Sequence, residues 1–165
     1  MMEIKIPFYN ILNMFLTGLV FFGGCAVVFP MDTLNLLKNE IITSIGTGPE
    51  IVFTVCAFAA AYEIGLIINR IGSVIIEPVL KKVKLIPFDN DYVKYNKKKK
   101  EYPIMDILSR EFALSRTGIA LFVILSVLAV CAHAWIWSIV FALVGIVYFF
   151  SCKKHAQKIV NLING

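Results

Sequence analysis

Charge is scarce in this sequence. Asp, Glu, Lys and Arg together make up 16% of the chain, against about 25% in an ordinary soluble domain. Histidine is scarcer still. His133 and His155 are the two copies, and neither has a second ligand at metal spacing, so no metal site is expected. The four cysteines, Cys25, Cys56, Cys131 and Cys152, form no C-x-x-C or Cys/His pattern. They read as small packing thiols, with a disulfide among Cys25, Cys56 and Cys131 as the alternative. There is no Gly-rich phosphate loop and no G-x-S-x-G, which leaves nucleotide binding and acyl transfer without their usual residues. No cofactor is expected, and an intramembrane enzyme has the least behind it. No internal repeat occurs, and the only low-complexity segment is a run of lysines.

The chain is instead rich in apolar residues, which make up 59% of its 165 positions, with a mean hydropathy of +0.80. That excess is too large to hide in a water-soluble core of this size. The expected fold class is an all-α, polytopic membrane protein: one membrane domain over 1–165, built as a four-helix bundle. The expected spans are 8–29, 51–71, 112–132 and 135–151. The first lies between Pro7 and Pro30 and covers about 33 Å at 1.5 Å per residue, enough for a hydrocarbon core of about 30 Å. Met1-Met2-Glu3-Ile4-Lys5 lacks the basic region of a cleaved signal, so this span is expected to be retained.

Between the first two spans, Asp32 can cap a short amphipathic helix with Leu34, Leu37, Ile41 and Ile45 on one face. Gly46-Thr47-Gly48-Pro49 would stop it. The second helix is expected from Glu50 to about Val83, some 50 Å, so its end projects into water. A basic connector, 84–103, follows. Ile104 to Ser115 reads as an amphipathic helix feeding straight into the third span. Cys131-Ala132-His133-Ala134 then leaves room only for a tight antiparallel hairpin, with Trp135 and Trp137 in an aromatic belt.

Loop charges orient the bundle. Lys81, Lys82, Lys84, Lys94, Lys97, Lys98, Lys99, Lys100 and Arg110 lie between spans two and three, and Lys153, Lys154 and Lys158 in the tail. The first connector has Lys38 alone. Positive residues stay inside, so both termini and the basic connector are expected in the cytoplasm.

Glu63 and Arg70 are the exceptional residues. A charge at membrane depth costs about 2.5–3.5 kcal/mol on insertion scales, and such residues usually serve a path or a partner. Glu63, Arg70 and Glu77 repeat every seven residues, which predicts one stripe facing protein or a water-filled cavity. Asn10, Asn13 and Thr17 on the first span, with Asn69 and Ser73 on the second, extend the polar surface, and an Asn13–Glu63 hydrogen bond is the expected contact. Gly18, Gly24, Gly65 and Gly72 would let backbones approach closely. The plain reading is helix-to-helix glue, within or between subunits. The sharper ones are an ion- or water-conducting path lined by Glu63, or a binding or catalytic role.

Arg110 and Arg116 open the third span. Pairing with Glu111 plus cytoplasmic anchoring is one reading, and a salt bridge from this end to Glu77 is the other. Lys97, Lys98, Lys99 and Lys100, near Tyr92, Tyr95 and Tyr102, could form a nucleic-acid stripe. At a cytoplasmic membrane face they fit anionic lipid better, at roughly 1 kcal/mol per basic residue. A cytosolic protein partner is the third option.

Tyr62-Glu63-Ile64-Gly65, Asn69-Arg70-Ile71-Gly72-Ser73 and Ser109-Arg110-Glu111-Phe112, set in this four-span layout, resemble the small membrane components of bacterial defence loci of the Kiwa or CRISPR-associated kind. The resemblance implies a multi-pass protein of a bacterial plasma membrane, perturbing or sensing that membrane beside a cytosolic partner held through 84–103. Two functions are therefore expected in competition. One is a self-associating protein that forms or gates a permeability path, in the manner of an ion channel used in antiviral defence. The other is a non-conducting scaffold, accessory or immunity subunit.

Overall fold

Helices dominate residues 8–29, 49–87 and 92–164, the residues described in the computed structural model, and no strand occurs among them. Helix α1 spans Phe8–Val28. Helix α2 spans Pro49–Ile71; its proline sits at the first helical position, where the missing N–H costs nothing. The amphipathic segment expected after the first span lies outside the described residues.

Beyond Ile71 the helix widens into a π-helical stretch, Gly72–Ile76, and resumes as α3, Glu77–Lys82. Pro78 supplies the reason. Its ring would clash with the Val74 carbonyl four residues back, and it has no N–H to offer that carbonyl. A locally wider turn relieves both problems. Helix α3 ends in a Schellman arrangement. Lys84 N–H donates to Lys81 O at 3.0 Å and Leu85 N–H to Leu80 O at 3.0 Å, with Lys84 left-handed at φ 58°.

The basic connector contains a helix that its polar sequence does not announce, α4, Tyr92–Glu101. Helix α5 then runs unbroken over Ile104–Cys131, joining the expected amphipathic entry and third span in one rod. His133, at φ 59°, repeats the Schellman geometry, with Ala134 N–H on Ala129 O at 2.8 Å. Helix α6, Trp135–Asn164, carries the fourth span and the basic tail together.

Four helical stretches are long and apolar enough to cross a membrane: Phe8–Val28, Thr54–Lys82, Ile104–Cys131 and Trp135–Asn164. Their surfaces are apolar in a way that water would punish. Ile136 is 77% exposed, Val147 67% and Phe150 62%.

The residues group into two compact units. One comprises the described residues up to Ile68 together with Ile124–Phe141. There α1 and α2 meet backbone to backbone: a Cβ on Gly18 would overlap the Ala61 carbonyl, and one on Gly65 the Met14 carbonyl. Gly24 faces the side chain of Leu125, at 2.7 Å from where its Cβ would stand. Phe15 packs on Phe58 with centroids 5.4 Å apart, and the Ser126 and Ser138 hydroxyls join at 3.1 Å. The other unit comprises Asn69–Val123 with Ala142 onward. Its core gathers Leu80, Ile86, Ile119, Cys152 and Ala156, with Phe112, Tyr148 and Phe149 packed against them. Ser115 and Ser151 hydroxyls bond at 2.9 Å across α5 and α6.

The glycine contact tests this packing directly. Gly65→Val should lower the unfolding midpoint in detergent measurably, by the equivalent of about 1–3 kcal/mol of overpacking. Gly23→Val, where nothing lies within 4 Å of the added Cβ, should leave it within about 0.5 kcal/mol. Thermal unfolding of the two purified variants compares them.

Candidate functional site

The π-helical stretch sets the orientation of Glu77. By accommodating one extra residue it turns everything after it by roughly 100° relative to a regular α-helix. The expected heptad stripe is therefore broken between Arg70 and Glu77. Glu63 and Arg70 are exposed, whereas Glu77 is largely covered. Pro78 was the available signal for this correction, since a helix-interior proline demands a local irregularity.

Glu77 sits between two cations. Lys81 Nζ, one turn on, donates to Glu77 Oε1, and Arg116 Nη1 of α5 donates to Glu77 Oε2. The side chains of Arg116 and Glu77 are 12% and 19% exposed, so most of their hydration is gone. The ion pair and the ring of Phe112, whose centroid lies 6.0 Å from the Arg116 guanidinium carbon, replace it. Of the pairings open to the arginines at the start of the third span, Arg116 with Glu77 is present. Arg110 is exposed, and its Nε donates to Asp106 O at 3.2 Å.

Around this pair the second unit encloses a partly open cavity of about 270 Å³. Helix α4 is held beside it by two contacts to α5. Tyr95 and Ser109 hydroxyls lie 2.6 Å apart, and Lys99 Nζ reaches Asp106 Oδ1 at 2.7 Å. That hydrogen bond to Asp106 raises the Lys99 pKa above the ordinary lysine value. Lys97, Lys99 and Lys100 are exposed and Lys98 half-buried, the last stacked over the Tyr102 ring at 5.3 Å. Asp89, Asn90 and Asp91 lie outside the described residues.

The remaining sequence candidates divide between the two units. Thr17 is buried, but its hydroxyl bonds back to Asn13 O at 2.8 Å, a helix-internal contact. Asn10 and Asn13 are half-buried, and among the described residues Asn13 makes no hydrogen bond with Glu63. In the other unit the Thr117 hydroxyl lies within 2.8 Å of Asn69 Oδ1 and within 2.9 Å of Ala113 O, tying α2 to α5. Gly72 lies against the Arg116 backbone, with its added Cβ 3.2 Å from that carbonyl. Among the described residues neither Glu63 nor Arg70 has a hydrogen-bond or ion-pair partner within the chain. All four cysteine thiols are free, with Cys56 and Cys131 exposed and Cys152 buried.

No family model, curated protein or solved structure matches this chain.

Chemically, the Glu77 cluster is a carboxylate held between two cations, beside an apolar hollow. Glu77→Gln would leave Arg116 under-compensated and should destabilise the fold by about 2–4 kcal/mol, near the range for breaking a covered ion pair. The double replacement Glu77→Leu with Arg116→Met should cost less than either single change. Unfolding of the wild type, the single variants and the double variant in one detergent measures the difference.

Proposed function

We propose that the chain is a multi-pass membrane protein whose copies associate to form or gate a permeability path, with Glu63 and Arg70 in or beside it. The single observation behind this reading is the position of Glu63. It is exposed on α2, a helix that also exposes Val55, Phe58 and Ile67, and among the described residues its side chain has no hydrogen-bond or ion-pair partner. In lipid that arrangement would cost about 2.5–3.5 kcal/mol for each charge, and a facing subunit or a water-filled path removes the cost. Four helices of one chain are too few to surround a wide pore, so conduction requires several copies.

The distribution of lysine and arginine supports insertion with both termini and the basic connector in the cytoplasm. The likeness to membrane components of bacterial defence loci supports a plasma-membrane effector as the biological setting. The function is non-catalytic in this reading.

Helix α4 favours a second reading, a scaffold that recruits a cytosolic partner. Lys94, Lys97, Lys99 and Lys100 are exposed on it, and its anchorage to α5 through Tyr95 and Lys99 holds this basic surface in a fixed place. Such a surface attracts anionic lipid at roughly 1 kcal/mol per residue and acidic protein equally well; nucleic acid is the weaker candidate.

Ion flux from proteoliposomes separates the two. On the conducting reading, wild-type vesicles leak and Glu63→Gln lowers the leak at least tenfold while the protein still assembles. Deletion of 94–100 leaves that leak in place. Sealed wild-type vesicles would remove the conducting reading and leave the scaffold.

A further inference from the structure

We propose that Glu63 of one copy pairs with Arg70 of a second copy, and Arg70 with the second copy's Glu63, where two α2 helices meet face to face. This contact rests on the reading that copies of the chain associate, and it gives that association its chemistry. Three observations combine. First, both side chains are exposed, and among the described residues neither has a hydrogen-bond or ion-pair partner. Second, they share a face. Helix α2 runs without a break from Pro49 to Ile71, and seven residues of α-helix fall about 20° short of two full turns. Third, that face points away from α1. Ala61 and Gly65 lie against the α1 backbone, and Glu63, two residues from each, stands roughly on the opposite side of the helix.

Glu63 and Arg70 cannot answer one another on their own helix. Side chains that meet on a helix are three or four residues apart, and these two stand about 10 Å apart along the axis at 1.5 Å per residue. Each therefore needs a counter-charge from outside, a cation for one and an anion for the other. A lipid phosphate answers only one of the two. A second α2 answers both, because a face carrying one carboxylate and one guanidinium is complementary to itself, as a two-fold contact between identical chains requires. Identical chains insert the same way round, so the two α2 helices run parallel and each residue sits level with its own copy. The offset between the charges is then spanned by the arginine. Helical side chains lean toward the helix N-terminus, which carries the long Arg70 side chain back toward the level of Glu63. Close approach is open as well. Cys56 and Ala59, seven and four residues before Glu63, are exposed on the same side, and small residues let helices in lipid pack backbone to backbone.

Energy transfer between two dye-tagged populations of the full-length chain, reconstituted together in phosphatidylcholine vesicles at varied protein-to-lipid ratio, tests the pairing. Wild-type copies are expected to associate. Glu63→Arg and Arg70→Glu should each weaken self-association by about tenfold or more, because each sets like charges opposite one another. Mixed together, the two variants should associate within about threefold of the wild type, since every cation then faces a carboxylate. The double reversal in one chain should do the same. The milder changes Glu63→Gln and Arg70→Gln should each weaken association several-fold, and both together no more than either alone. That series keeps the pairing testable where a reversed charge prevents insertion. Wild-type chains that stay apart would overturn the association reading and the pairing with it. Association that survives both reversals, or a mixture no better than the reversed variants alone, would overturn the pairing and leave self-association standing.

Discussion

A charge carried on an apolar helix needs a counter-charge or water, and the organisation of this protein follows from how each charge meets that need. Glu77 meets it inside the chain, between Lys81 and Arg116. Glu63 and Arg70, earlier on the same helical run, have no such partner among the described residues. The difference comes from one structural event, the π-helical stretch Gly72–Ile76, which turns the later residues inward and leaves the earlier ones on the outside. Pro78 forces the irregularity, and Gly72 lets it lie close to the backbone of α5.

That division also separates two kinds of chemistry. On the proposed function, the outward charges are met by a second subunit or by water. The inward cluster holds its carboxylate between Lys81 and Arg116, beside an apolar hollow. Basic helix α4, pinned to α5 through Tyr95 and Lys99, contributes Tyr95 to that hollow and its lysines to the surface.

Much of the helical layout was legible because length and hydropathy are local properties. The spans at 8–29 and 135–151 reappear within α1 and α6, and the short turn at His133 followed from the lack of residues to make a longer one. Close contacts at Gly18, Gly65 and Gly72 were legible too, since small residues on apolar helices have few other uses. The heptad stripe fails at one place, because its spacing assumes a regular helix and Pro78 interrupts that regularity. Helix α4 was invisible for a different reason. Its sequence offers no apolar face, and what holds it are Ser109 and Asp106, residues of another helix. The cavity was equally hidden: Phe112 and Val160 come from distant segments, and only packing makes them neighbours.

On the proposed function, copies of this chain associate around the exposed carboxylate of Glu63. Counting subunits in lipid, by single-molecule photobleaching of a fluorescently tagged protein in native-membrane nanodiscs, addresses it most directly. The account predicts particles with several bleaching steps for the wild type, and a shift towards single steps when Glu63 and Arg70 are both replaced by leucine. Single-step bleaching of the wild type across the accessible range of protein-to-lipid ratios would contradict it.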